Sequence, residues 1–145
     1  PLAVAINSTM AHAKDPQSVV FHLITSPSLA DSFGDQLRRA IPGADIRVHH
    51  NAELQERIKG LVNFRKSSGA RKTLSSPFNF APFYLSEFLG YGDAKAGARG
   101  PDRLIYLDTD IVLMRDIGEL QSMDLGGLPA AAVQDCSQNF ELYID

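Results

Sequence analysis

Cysteine is nearly absent: Cys136 is the one thiol in 145 residues. A single thiol excludes an internal disulfide and any zinc site built from cysteine alone, and it reads as a small core residue rather than a nucleophile. Long apolar runs are missing too. None approaches the roughly 20 residues of a membrane span, and no stretch has the pattern of a signal peptide. There is no basic excess. Fourteen Lys and Arg against seventeen Asp and Glu leave a net charge of −3, which gives no electrostatic reason to expect nucleic acid or an acidic membrane as a partner. The glycine-rich stretch GYGDAKAGARGP, Gly90 to Pro101, is not a dinucleotide fingerprint, because its third glycine is misplaced and no strand precedes it. It reads as a surface insertion. No internal repeat is visible.

What is present is ordinary for a water-exposed fold with a real core: 44% hydrophobic and 21% charged residues in 145, enough for one domain. The pattern alternates between helix and strand. Residues 1–13 read as a helix with Leu2, Ala5, Ile6, Thr9 and Met10 on one stripe, broken by Asp15-Pro16. Val19 to Thr25 reads as a strand. Ser26-Pro27 then reads as a capped helix start, with the helix running to about Ile41 despite Gly34 and ending at Pro42-Gly43. Residues 45–50 form a second strand and 52–64 a third helix. This succession predicts a parallel sheet with right-handed crossovers.

Next comes a loop, Arg65 to Ser76, whose four cations read as a solvated surface. Phe78 to Leu89 is predicted as an aromatic-rich helix. Pro82 is tolerable only in a first turn, so this helix should begin near Asn79, capped by that side chain. Asp116 to Leu120 reads as a short turn or helix, Met123 to Pro129 as a loop, Ala130 to Val133 as a strand, and the tail after Ser137 as helical. His22, His49 and His50 have no sequence partners at metal-ligand spacing and read as structural.

The most informative stretch is RLIYLDTDIVLMRD, Arg103 to Asp116. Leu104 to Leu107 is a continuous apolar run, the pattern of a central strand buried on both faces. In an extended chain residues i and i+2 point the same way, so Asp108 and Asp110 would aim two carboxylates at one spot. The carboxyl end of such a strand is where open α/β sheets bind ligands. Two carboxylates in a low dielectric repel unless a proton or cation intervenes. An oxygen-only pair suits Mg²⁺ or Mn²⁺ better than zinc. The plainer alternative is a strand end finished by solvated acids, with the second Asp opening a turn.

DRLIYLDTDIVLMRDIGEL resembles the D-x-D segment of family 8 glycosyltransferases, the group that includes glycogenin and the galacturonosyltransferase-like proteins. The likeness extends, in order, to AVAINSTMAH from Ala3, VVFHLITS from Val19, FNFAPFYLSEFL from Phe78 and LPAAAVQDCSQNF from Leu128. It therefore spans nearly the whole chain. It implies an α/β fold of the GT-A type, a Rossmann-like, mostly parallel sheet flanked by helices. It also implies retaining transfer from a nucleotide-sugar donor, usually a UDP-sugar, to a saccharide or glycoprotein acceptor. The Golgi or secretory pathway is the compartment it suggests. By resemblance, Asp108 and Asp110 would hold Mn²⁺ (or Mg²⁺), and Asp108, Thr109, Asp110 and Asn79 would bind the donor.

The family's opening strand is expected before Pro1, and its third metal ligand and the polar residue beneath the sugar after Asp145. Residues 1–145 are thus expected to be one partial glycosyltransferase domain, inactive alone, and no catalytic residue is named within them. Where the family commonly reads Asn-Tyr-Ala-Arg, this chain reads Asn79-Phe80-Ala81-Pro82. Two other functions fit parts of the pattern. LDTDIVL also matches the signature of a haloacid-dehalogenase-like phosphatase, with Asp108 as nucleophile, although that motif normally sits on a domain's first strand. A degenerate domain that binds a sugar nucleotide without transferring the sugar is the third.

Overall fold

A computed structural model describes residues 1–61, 76–91 and 100–133 of the 145-residue chain. The basic loop up to residue 75, the end of the third helix at Phe64, the glycine-rich residues 92–99, Cys136 and the tail lie outside the described residues.

Helix α1 spans Leu2–His12 and is followed by a short 3₁₀ turn at Pro16–Ser18. Strand β1 is Val20–Ile24, helix α2 Ala30–Ala40, strand β2 Asp45–His49 and helix α3 Ala52–Leu61. β1 and β2 pair in parallel, Val20 opposite Asp45 through Ile24 opposite His49, with α2 as the crossover. This is the mixed α/β arrangement expected of a partial Rossmann-like sheet.

The two faces of the pair bury different sets of side chains. Phe21, Leu23 and Val48 pack against a core of Ile6, Leu37, Ile41 and Ile46, so α1 and α2 cover one face. Ile24 points the other way, onto Leu54, Ile58, Ala81 and Phe88. Helices on both faces are the layering that a parallel sheet requires. Gly34 is what lets α2 lie close to the sheet: a Cβ there would stand 2.7 Å from the Val48 Cγ2 atom. α2 ends at Ile41, and the chain turns through Gly43 at φ 101°, a conformation that glycine adopts without steric cost. Asn51 caps α3, its Oδ1 accepting from the Leu54 N–H at 2.9 Å.

Three expectations need correction. The Ser26-Pro27 pair does not start α2. Those residues form turns, with Leu29 N–H donating to Ser26 O and Ala30 N–H to Pro27 O, and the helix begins at Ala30. The aromatic segment is not one α-helix. It is a 3₁₀ helix over Pro77–Tyr84 followed by a single α-turn, α4, Leu85–Phe88. Ser76 caps it rather than Asn79, with Oγ accepting from the Phe78 N–H at 3.4 Å. Pro82 supplies no N–H and its ring crowds the carbonyl four residues back, so α geometry cannot run across it.

The third correction concerns Leu104 to Leu107, which pairs with no strand among the described residues; the described sheet consists of β1 and β2. Burial alternates along this run, with Leu104 and Tyr106 exposed and Ile105 and Leu107 half-buried. The run and β1 line one cavity of about 840 Å³, an open space where a ladder was expected. Ala130 to Val133, expected as a strand, likewise join no ladder among the described residues. Farther on, α5 is the short helix Gly118–Gln121, as the sequence suggested.

Candidate functional site

The cavity brings together all five residues of β1, the stretch Arg103 to Thr109, and Phe78, Ala81, Leu85 and Leu89 from the 3₁₀–α4 region. Its volume lies in the range of small-molecule sites. The lining is mostly apolar, with polar groups from Lys14, His22, Arg47, Asp108, Thr109 and Asp116. Asp108 and Thr109 therefore stand in the cavity wall. Asp110 and Asn79 are not among the residues that line it, and neither is Pro82.

The local backbone explains why the two acids part. Thr109 and Asp110 form a turn directly after Asp108, and all three are exposed. The i, i+2 rule holds for extended chain and lapses in a turn. Tyr106, two residues before Asp108, feels it: partial desolvation of its otherwise exposed ring raises the phenol above its ordinary pKa, and the Asp108 charge adds to the rise.

No group of three or more His, Cys, Asp or Glu side chains gathers as a metal site among the described residues. The pair Asp108 and Asp110 is an oxygen-only half-set. Carboxylate oxygens are the donors that a hard ion such as Mg²⁺ takes, but Asp108 stands in the cavity wall and Asp110 does not, so the described residues do not bring the two together at one point.

The D-x-D segment is tied down by residues that sequence reasoning missed. Ser8 on α1 is 8% exposed. Its Oγ accepts from the Leu113 N–H at 3.0 Å and donates to Ala5 O, also at 3.0 Å. Asp116 Oδ1 accepts from the Gly118 N–H at 3.1 Å and the Lys14 N–H at 3.2 Å, and Lys14 Nζ lies 3.8 Å from Oδ2. The Gly118 and Lys14 amides hold the Asp116 carboxyl below the usual carboxylate range. One Arg103 nitrogen donates to the carbonyls of Leu120, Gln121 and Met123, at 3.0, 2.7 and 2.7 Å. It thereby satisfies the carboxyl end of α5 with a cation, the favourable sign there. Asp116-Ile117-Gly118 carries a readable Asx-turn signal. Nothing in the sequence points Ser8 at Leu113, 105 residues away.

No solved structure matches the chain. Its curated relatives are informative. It is 31% identical over 139 residues to "Probable galacturonosyltransferase-like 6" of Arabidopsis thaliana, covering 96% of this chain and 36% of that protein. It is 31% identical over 140 residues to "Probable galacturonosyltransferase-like 10" of the same plant, covering 96% and 34%. "Probable galacturonosyltransferase-like 4" is 27% identical over 139 residues. The chain thus spans about a third of the length of these relatives. The sequence model of "Glycosyl transferase family 8" matches residues 1–143. That match takes in both the D-x-D segment and the elements before it, which a phosphatase motif alone would not explain, and the chain belongs to glycosyl transferase family 8.

Proposed function

We propose that the protein carrying this chain is a retaining glycosyltransferase. It moves a sugar from a nucleoside diphosphate donor, a UDP-sugar, to a saccharide or protein acceptor. The observation that carries the reading is the place of the family's D-x-D segment: Asp108 and Thr109 stand in the wall of a cavity of about 840 Å³. The relatives' printed names, galacturonosyltransferase-like, make UDP-galacturonate the donor to test first.

In this reading Asp108 and Asp110 would hold Mn²⁺ or Mg²⁺, and Thr109 would lie against the nucleoside of the donor. A bound divalent ion would supply neutralisation of the leaving diphosphate. The chain's own part is binding and orientation. The apolar wall of Phe78, Ala81, Leu85 and Leu89 excludes water from one side, and the Ser8, Asp116 and Arg103 contacts fix the segment that carries the two acids.

Titration calorimetry of UDP into the full-length protein, with and without Mn²⁺, tests the reading. Binding should need the metal, and Asp110→Asn should weaken it by about 10-fold or more, as loss of a metal-site group does. Metal-independent binding that ignores the substitution would overturn the assignment. Donor binding without sugar transfer would instead mark a degenerate domain, the alternative that Pro82 in place of the family's arginine keeps open.

A further inference from the structure

His22 and His49 look unrelated in sequence, 27 residues apart, yet their rings meet across the β1–β2 ladder. His22 Nδ1 lies 2.9 Å from His49 Nε2, and the ring centroids are 5.0 Å apart with planes inclined by 30°. The register explains the meeting. His22 is opposite Arg47 and His49 is opposite Ile24, so the two histidines are diagonal neighbours on one face, a separation that long side chains bridge. Both are half-buried. His49 is the last residue of β2, while His22 stands at the middle of β1. Just past β1, Thr25 N–H donates to His49 O at 3.0 Å and Gln55 Nε2 donates to Thr25 O at 3.2 Å. His22 also lines the large cavity, as do Arg47, Asp108 and Asp116.

Two nitrogens at hydrogen-bond distance share one proton. One ring donates and the other accepts. A first extra proton can be taken up at the outer nitrogen of the donor ring, which then donates as a cation to a neutral acceptor. A second cannot: it would put N–H against N–H and two positive rings side by side. From this we infer that His22 and His49 form a proton-counting latch across β1 and β2, closed while the pair carries at most one extra proton and opened when both rings are charged.

The surroundings act in the same direction. Burial lowers the pKa of both rings, and the Arg47 guanidinium lowers both further; Asp45 opposes this at His22, while His22 and His50 add to it at His49. Arg47 is itself held by Asp45, with Nη2 2.8 Å from Oδ2, and feels Tyr91 beyond α4. On the helices that cover this face, Arg57 of α3 is paired with Glu87 of α4.

The sign follows from proton counting. Unfolded, the two imidazoles titrate independently near 6.5 and together approach two protons about a unit below that pH. Folded, the closed pair holds at most one. As the pH falls below about 6.5 the excess held by the unfolded state grows toward one proton, and the unfolding constant then rises by about tenfold for each unit of pH lost. From about a unit above pH 6.5 the contribution is fully present.

The test is urea unfolding of the full-length protein at steps from pH 7.5 to 5.5, for wild type, His49→Gln and His22→Gln. A glutamine can accept from a charged histidine or donate to a neutral one, so either variant removes the proton limit. Between pH 6.5 and 5.5 the wild-type unfolding constant should rise by about tenfold more than that of either variant. Parallel pH profiles would overturn the latch. Should a variant fail to fold, ring ¹⁵N NMR of the wild type decides. The latch requires one facing nitrogen protonated and the other bare at pH 7.5, and two coupled titration steps with the second shifted to acid. Two independent rings titrating together near 6.5 would refute it.

Discussion

Residues 20–61 and residues 100–133 make an instructive pair. Both contain apolar runs that read as strands. The first stretch buries Ala30, Leu37, Ile41, Ile46, Leu54 and Ile58. In the second no residue is buried, and Leu104, Tyr106, Val112, Met114, Leu120, Met123, Leu128 and Val133 are exposed. Composition does not separate the two regions; partners do. VFHLI and DIRVH pair with each other through a crossover helix that closes over them. RLIYL joins no ladder among the described residues and is held instead through its downstream end, by Ser8 on Leu113 and by Asp116 on Lys14 and Gly118. A strand is a pairing of two backbones, and one apolar run supplies half of it.

The comparison can be broken most forcefully in the core. Ile58 is 1% exposed, and Ile58→Ala should cost about 2–5 kcal/mol of unfolding free energy, the range for deleting buried methyl groups. Leu104→Ala, at a side chain 37% exposed, should cost far less. Denaturant titration of both variants in the full-length protein measures the contrast, and equal losses would mean that the two regions are buried alike there.

Gly34→Ala comes next. The added methyl would meet Val48 at 2.7 Å, so overpacking should outweigh the gain in helix propensity and cost about 1–3 kcal/mol. Pairing it with Val48→Ala should recover part of the loss, and a stabilised single variant would show that α2 stands farther from β2.

Ser8→Ala probes the tether of the second region. Deleting the acceptor of the Leu113 N–H should cost about 0.5–1.5 kcal/mol. It should also speed hydrogen exchange at Leu113 while leaving β1 and β2 amides unchanged. Uniform exchange across both regions would erase the distinction drawn between them.

The smallest effect is the pH dependence of the Asp116 anchor. Its folded pKa is depressed by the Gly118 and Lys14 amides, so its stabilisation is complete above the unfolded value of about 3.9 and is lost as pH falls through the lower folded value. Asp116→Asn should therefore be less stable than wild type near neutrality, with the gap narrowing below about pH 4. Thermal melts at pH 6 and pH 3 check this; a constant gap would assign the loss to something other than charge.

The sequence by itself determined the elements that depend on near neighbours along the chain. α1, β1, β2 and α3 follow from local periodicity, and the parallel crossover follows from their order. The family was legible because its segments recur in order from Ala3 to Phe140. Tertiary structure alone decided the rest. Whether Leu104 to Leu107 pairs depends on what stands beside it, and that cannot be read from its own residues. Thr109 and Asp110 turn, as the plainer of the two sequence readings had it, rather than continuing extended, so Asp108 reaches the cavity wall and Asp110 does not. The meeting of His22 with His49 rests on strand register, and that of Ser8 with Leu113 on how α1 lies against the D-x-D segment. The physical reason is common to these cases. Periodicity reports which side of an element prefers burial, whereas a contact depends on which second surface arrives there and at what offset.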